Sequence, residues 1–305
     1  MKTKNIINIA AVFVVLFLTN LKSEAQKVVL GFSSPESVVS NGKRFFVSNI
    51  GPGNNKVGKD GDGFISEISS AGKMRISHFL PDTGKLNSPH GMAIIGTTLY
   101  VADIDRVVGY DINTRAKVFE VNMGESAGLL NDIASINRDL IVVSDTFKDI
   151  VYAINIQTRA ITGIGNVPGP NGLVYDETKN LLYVCTVGHH SNGEGQMYVK
   201  SGFGADSPWE TVAGGPKSGV FDGIEILNAD HLLLSDWITY PSLKGRLVIY
   251  DKQQNKYQSL PMGTEPADMF IDHHTNLIYL PQTAKDRVII LKVRQLNRRK
   301  IALLK

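Results

Sequence analysis

A short segment, in which one residue that is polar in five of the copies precedes alternating apolar positions, recurs six times along the chain. The six copies are PESVVS at Pro35, PHGMAI at Pro89, LNDIAS at Leu130, PNGLVY at Pro170, FDGIEI at Phe221 and PADMFI at Pro266. Each copy is followed by two further runs rich in Val, Ile and Tyr and bounded by Gly, Asn, Asp and Pro, which is typical of β-strands. Strand groups that repeat every 40 to 54 residues match the blade period of a β-propeller. The repeat therefore predicts an all-β, six-bladed β-propeller.

A closed propeller needs one strand from the opposite terminus to cover the last sheet edge, because an open edge invites aggregation. Lys27–Leu30 is placed for this role, and residues 301–304 are the competing segment. Since each blade of a closed ring has two neighbours, we expect the chain to unfold as one cooperative unit.

The amino terminus has the order of features found in an export signal. Lys2 and Lys4 precede an apolar run over residues 6–21, and Ser23 and Ala25 supply small residues at a cleavage site. The run is short for a bilayer, which needs about 20 apolar residues. We therefore predict a cleaved signal peptide over residues 1–25, an exported protein that is periplasmic or secreted, and no membrane span after cleavage.

The mature chain is predicted to hold the propeller in residues 26–293 and a basic tail in residues 294–305. The last fourteen residues carry six Lys or Arg and no acid; a solvated tail is the simpler interpretation, and contact with an anionic surface is the alternative. The formal net charge of the whole chain is only +3, and no basic cluster is interleaved with aromatics, so nucleic acid is not an expected partner. A single cysteine, Cys185, excludes intrachain disulfides and CxxC sites.

The second residue of each copy, polar in five of the six, begins the innermost strand of a blade and therefore faces the shared axis of the propeller. These slot residues are Glu36, His90, Asn131, Asn171, Asp222 and Ala267. Carboxylate and amide oxygens are ligands that Ca²⁺ and Mg²⁺ prefer, so four of the slots predict a divalent metal site. Asn and Asp are also common at strand starts because they turn the backbone cheaply, which leaves a purely architectural role open. His90 is a ligand, a proton carrier or a filler of channel volume.

On the motifs PESVV, LNDIAS, PNGLVYD and FDGIEI, the chain resembles the senescence-marker-protein, gluconolactonase and luciferin-regenerating-enzyme family over nearly all of its mature length. The resemblance implies a divalent ion, usually calcium, in the central channel and hydrolysis of lactones. In the similar diisopropyl fluorophosphatase the bond cleaved is phosphorus–fluoride. Carried over residue by residue, Glu36, Asn171 and Asp222 would be the principal ligands, Asn131 a ligand or substrate contact, and Asp222 the base or nucleophile.

The chain departs from that family at Leu129. Its sugar-lactone hydrolases often carry an arginine two residues before the third-blade asparagine, so an apolar residue there indicates a more hydrophobic substrate or a member that binds without turnover. Aromatic and histidine side chains above a polar floor would complete an amphipathic pocket. The predicted pocket residues are His90, Leu129, His189, Trp237 and Tyr240.

Two functions follow from these patterns. The first is an exported divalent-metal-dependent hydrolase that acts on lactone, ester or phosphoester-like small molecules, with calcium as the expected cofactor and Asp222 and Asn131 as catalytic residues. The alternative is a non-catalytic binding propeller of the NHL type, which recognises a protein or carbohydrate and whose polar ring is only architecture. A propeller supports either function, so the site has to decide between them.

Overall fold

The computed structural model describes residues 27–53, 55–204, 206–239 and 244–296. Within these ranges the strands form six four-stranded antiparallel sheets, which confirms the predicted six-bladed β-propeller. The strand β1 (Lys27–Leu30) precedes the first blade. The first blade is formed by β2 (Pro35–Ser40), β3 (Phe45–Asn49), β4 (Phe64–Ile68) and β5 (Met74–Leu80). The second blade is formed by β6 (Pro89–Ile95), β7 (Thr98–Asp103), β8 (Arg106–Asp111) and β9 (Lys117–Asn122).

The remaining blades repeat the arrangement. The third blade contains β10 (Leu130–Asn137), β11 (Leu140–Asp145), β12 (Ile150–Asn155) and β13 (Ile161–Asn166). The fourth contains β14 (Pro170–Asp176), β15 (Leu181–Thr186), β16 (Met197–Ser201) and β17 (Glu210–Thr211). The fifth contains β18 (Phe221–Asn228), β19 (His231–Asp236), β20 (Gly245–Asp251) and β21 (Lys256–Met262), and the sixth contains β22 (Phe270–Asp272), β23 (Leu277–Gln282) and β24 (Arg287–Lys292). The described helical segments are 3₁₀ turns at Gly124–Ser126, His189–Ser191 and Thr283–Lys285 and a turn at 293–296.

The ring closes through β1, which pairs antiparallel with β24 and so becomes the outer strand of the sixth blade. The prediction for Lys27–Leu30 is therefore confirmed. Residues 301–304 and the predicted signal peptide over 1–25 lie outside the described residues. In the described part of the predicted tail, Leu296 is buried against the fifth and sixth blades. None of the described helical segments is long and apolar enough to cross a bilayer.

The core consists of apolar clusters that lie between neighbouring blades. Residues of β11 show how the pleat supplies them: Ile141 and Val143 pack toward the second blade, whereas Val142 packs toward the fourth. The same division recurs in β19, and Val29 joins the first and sixth blades in an equivalent cluster. Because the second strand of a blade is buried on both faces, its sequence is apolar at consecutive positions. Cys185 lies in one of these clusters and is fully buried.

A β-bulge lies at the start of the inner strand in each of the first five blades. In the third blade, Leu130 and Ile133 pair with β11 while the two residues between them leave the ladder. A bulge breaks strict alternation, so two consecutive side chains can face the channel. In the sixth blade the predicted start at Pro266 is displaced: the Ala267 N–H donates to the Pro281 carbonyl (3.0 Å), but regular pairing begins only at Phe270.

Buried aspartates at the ends of the second strands hold the chain that enters each inner strand. Asp103 accepts from the backbone N–H groups of Asn87 and Ser88, both at 2.9 Å. Asp145 accepts in the same way from Leu129 (2.9 Å), and Asp236 from Val220 (2.9 Å). These carboxylates fix the backbone just before the slot residues and do not line the channel cavity described below.

Candidate functional site

Five slot side chains meet in one cavity of about 390 Å³ at the end of the channel where the inner strands begin. They are Glu36, His90, Asn131, Asn171 and Asp222, all buried. We call this space the upper cavity. The sixth slot residue, Ala267, is buried but does not line it.

Glu36 and Asp222 place two carboxylates in this cavity. The Asn171 amide donates from Nδ2 to Asp222 Oδ1 (3.1 Å), and the Trp237 indole donates from Nε1 to Asp222 Oδ2 (2.8 Å). Burial raises the pKa of Asp222, although Lys56 and these two donors oppose the shift. Burial, and next the Asp222 charge, raise the pKa of Glu36 well above its usual value. The pair therefore favours any cation that neutralises it.

Close approach of neighbouring inner strands brings Asn171 to Asp222. The residue after Asn171 is Gly172, and a Cβ at this position would stand 2.4 Å from the Asp222 carbonyl oxygen. A larger residue would push the fourth and fifth blades apart at the axis. The glycine in the motif PNGLVY is thus required by packing around the channel.

Asn131 is held by a contact that also links two blades. Its Nδ2 donates to Thr146 Oγ1 (3.1 Å), and the Thr146 hydroxyl donates to the Pro170 carbonyl (2.8 Å). Because Thr146 takes the amide nitrogen, the amide oxygen of Asn131 is the atom left to engage a cation or substrate.

His90 presents a neutral ring to the cavity. Burial, and next the Lys56 charge, lower the pKa of His90 to about 4. Its Nδ1 lies 2.7 Å from the Ser88 carbonyl oxygen, which assigns the ring proton to Nδ1. Its buried Nε2 has no hydrogen-bond partner in the described structure. A neutral ring with a free Nε2 favours a role as ligand or hydrogen-bond acceptor over that of a proton carrier near neutral pH.

The upper cavity fits a divalent cation through its oxygen donors. Glu36 Oε2 is buried and has no hydrogen-bond partner in the described part of the chain, and such an atom is costly unless a ligand satisfies it. The described residues contain no cluster of three or more His, Cys, Asp or Glu side chains able to hold a metal. A cation here would therefore need the amide oxygens of Asn131 and Asn171 in addition to the two carboxylates, a donor set that suits calcium.

Apolar side chains form the wall above this polar floor. They are Val57, Leu129, Phe147, Val187, Val220 and Trp237. Leu129 and Trp237 were predicted as pocket residues and both lie in this wall. His189 lies outside it: the ring is exposed and its Nδ1 is 2.5 Å from Asp149 Oδ2, while Ser191 from the same turn reaches the cavity. Tyr240 lies outside the described residues.

The loop between β3 and β4 supplies residues that sequence reasoning did not select. Asn55, Lys56 and Val57 line the upper cavity, and the Lys56 ammonium lies 4.2 Å from the centroid of the Trp237 ring. Thr146 and Phe147, directly after β11, were also missed. The sequence could have indicated Thr146, because it directly follows the aspartate that ends the second strand. The loop sequence around Lys56 has no feature that marks Lys56 as a cavity residue.

A second cavity of about 280 Å³, the lower cavity, lies farther along the inner strands and contains Asp132, Glu225 and Asp268. Asp132 accepts from the backbone of Leu173 (2.7 Å), and Asp268 accepts from the Ser37 hydroxyl (2.6 Å). These carboxyls thus join neighbouring inner strands. Burial raises the pKa of all three, to about 6 for Asp132 and to about 8 for Glu225.

The raised pKa of Glu225 predicts a pH-dependent cost in stability. Its folded pKa of about 8 exceeds its ordinary 4.5, so the folded state binds more protons and loses stability as the pH rises between these values. Replacing Glu225 with glutamine removes this loss. The variant should match the wild type near pH 4.5 and exceed it by about 4 kcal/mol at pH 8, since each pH unit between the two pKa values contributes about 1.4 kcal/mol, as measured by denaturant unfolding. The exposed Glu177→Gln is the control; an equal gain at both pH values for Glu225→Gln would contradict the prediction.

Comparisons with known proteins reveal the fold but no family. No family model matches the sequence, and no curated protein does either. Among solved structures, the chain is similar to a gluconolactonase from Xanthomonas campestris, with a TM-score of 0.63, 13% sequence identity and coverage of 88% of this chain and 89% of that one. It is also similar to Kuenenia stuttgartiensis hydrazine synthase (TM-score 0.56, 13% identity, 90% and 80% covered) and to U3-55K (0.55, 12%, 84% and 79%). At these identities the likeness concerns the propeller fold.

Proposed function

We propose that the protein is an exported divalent-metal-dependent hydrolase of small lactones or esters, with calcium as its cofactor. The observation that carries the proposal is the convergence of Glu36, Asn131, Asn171 and Asp222 in the upper cavity. The likeness to a gluconolactonase supports a lactonase-type reaction on this fold. The charged, apolar and small-residue pattern of residues 1–25 supports export.

The two carboxylates and two amide oxygens would hold the cation, which when bound supplies Lewis-acid polarisation of a carbonyl or phosphoryl oxygen. Asp222 is kept in one orientation by Asn171 and Trp237. From that position its carboxylate either takes a proton from the attacking water or attacks the substrate itself. Asn131, anchored by Thr146, offers a ligand atom or a substrate contact.

The wall indicates the part of the substrate that does not react. Leu129 stands where sugar-lactone hydrolases of the family that the chain resembles often carry an arginine. With Phe147 and Val187 it gives the upper cavity an apolar side. Such a wall favours an acyl chain or an aromatic leaving group over a polyhydroxylated sugar ring.

Calcium should raise the melting temperature of the mature protein, because a ligand that binds only the folded state stabilises it by mass action. At about 100 times the dissociation constant the gain is about 2.7 kcal/mol, or about 5–10 °C for a protein of this size. Scanning calorimetry with calcium and then with chelator measures the shift, and hydrolysis of a panel of lactones and aryl esters is assayed in parallel.

Glu36→Gln tests whether calcium binds in the upper cavity. Glutamine keeps the shape of the side chain but removes one charge, so the calcium-induced rise in melting temperature should be smaller. A wild-type protein that shows neither a calcium shift nor hydrolysis would contradict the proposal. The NHL-type binding propeller would then be the better explanation of the polar ring.

A further inference from the structure

Lys56 is the cationic side chain among the described residues that line the upper cavity. Its charge acts on side chains of the polar floor. It opposes the rise in pKa that burial causes at Glu36 and Asp222, and it adds to the fall in pKa that burial causes at His90. The proposed reacting groups and this ammonium therefore line one cavity and act on one another electrostatically.

The ammonium is held at a defined place above Asp222. It lies 4.2 Å from the Trp237 ring centroid, and the same indole donates to Asp222 Oδ2 at 2.8 Å. A single aromatic ring thus separates the positive group from the proposed base or nucleophile. Cation–π contact of this kind positions a lysine without neutralising it.

The loop that carries Lys56 is fastened to the neighbouring blade. Lys59 Nζ forms an ion pair with Asp105 Oδ2 (2.6 Å), and the Gly58 N–H donates to the Asn55 carbonyl (3.0 Å) to close a turn around Lys56. These contacts limit the positions that Lys56 can take, and preorganisation of this kind lowers the cost of binding a partner.

Charge balance shows what is left for Lys56 once the site is loaded. A divalent cation neutralises the two carboxylates of Glu36 and Asp222, and the described wall offers no other acid to the ammonium. The loaded cavity then carries the positive charge of Lys56 beside an apolar wall. A negatively charged group on the substrate complements that charge.

We propose that Lys56 is a specificity-determining residue that binds a carboxylate on the substrate, so that the protein acts on anionic esters or lactones with an apolar body. The inference rests on the proposed hydrolase function. It places the substrate carboxylate at the mouth of the upper cavity, against Lys56 and the edge of Trp237, while the scissile bond lies below at Asp222.

Two esters of equal length distinguish binding of a substrate carboxylate by Lys56 from a role in which Lys56 only offsets the charge of Glu36 and Asp222. They are para-nitrophenyl pentanoate and the para-nitrophenyl hemiester of glutaric acid, which carries a carboxylate where the first has a methyl group. The wild type should prefer the anionic ester, and higher salt should narrow the preference. Lys56→Met should lower kcat/KM for the anionic ester about 10- to 100-fold, as expected for a hydrogen bond to a charged group, and change the neutral ester less than about twofold. Lys148→Met, at an exposed position next to Phe147 in the sequence and outside the lining of the upper cavity, is the matched control and should leave both rates unchanged.

An equal loss for both esters in Lys56→Met would overturn the inference, because the lysine would then act only on the floor. Glutarate provides a test that does not depend on turnover. In calcium-loaded protein it should raise the melting temperature of the wild type and of Lys148→Met, but not of Lys56→Met. If the wild type shows no calcium shift and hydrolyses neither these esters nor any member of the lactone and aryl-ester panel, the hydrolase proposal fails, whereas the glutarate shift still tests the anion site. A glutarate shift that is absent in the wild type, or that persists in Lys56→Met, would overturn that site.

Discussion

Replacing Asp222 with asparagine is expected to lower kcat for ester or lactone hydrolysis about 10²–10⁴-fold, the range that a positioned base contributes. Asparagine keeps the shape of the side chain and an oxygen that can accept from Trp237 Nε1. It removes the negative charge and the atom that takes a proton or attacks. Initial rates with para-nitrophenyl pentanoate at saturating calcium measure the loss, and the calcium-induced shift in melting temperature should shrink in the same variant.

Asp268→Asn is the matched control for Asp222→Asn. Asp268 lies in the same channel, but it lines the lower cavity and accepts from the Ser37 hydroxyl. Because burial raises its pKa well above the usual value, asparagine replaces a side chain that already favours its neutral form. We expect its rate to stay within about threefold of the wild type. Near-normal hydrolysis by Asp222→Asn would remove this residue from the mechanism.

The repeat predicted the fold because its physical cause is local. A second strand such as β11 packs against blades on both sides, so its burial is recorded as an uninterrupted apolar run. The number of such runs then gives the number of blades, and their spacing gives the blade period. The slot residues could be identified for the same reason, since Glu36, Asn131 and Asp222 occupy equivalent places in equivalent strands and reach one cavity.

The lower cavity could not be predicted by the same rule. Strict alternation assigns Asn131 and Asp132 to opposite faces of a strand. The bulge between Leu130 and Ile133 releases both from the ladder, and both side chains line the channel, one in each cavity. The sequence does not mark a bulge at this place.

The residues at the mouth depend on contacts between loops of different blades. Lys56 is brought over the cavity by a loop whose anchor, the Lys59–Asp105 ion pair, joins the first and second blades. His189 turns outward because Asp149 of the third blade binds its ring. Neither contact recurs from blade to blade, so the prediction from the sequence included His189 and missed Lys56.

Introducing a charge at Val29 is expected to have the largest effect on stability. Val29 is 4% exposed and packs with Phe45 of the first blade and Val288 of the sixth. An aspartate there leaves a carboxylate without a partner in an apolar cluster, at a cost of about 3–5 kcal/mol. That cost corresponds to a fall in melting temperature of about 6–20 °C, which scanning calorimetry of the calcium-loaded protein measures.

Val28→Asp is a control on the same strand, because Val28 points to the other face and is 44% exposed. It should change the free energy of unfolding by no more than about 0.5 kcal/mol. If both variants lose stability equally, general disruption of β1 is responsible and not the loss of its buried face.

The shape of the unfolding transition tests whether β1 closes the ring. Val29 belongs to the cluster that joins the first and last blades, so its loss should move one cooperative transition to lower temperature. If the sixth blade instead unfolds in a separate transition while the other blades keep the wild-type melting temperature, β1 only extends the sixth blade and does not close the ring.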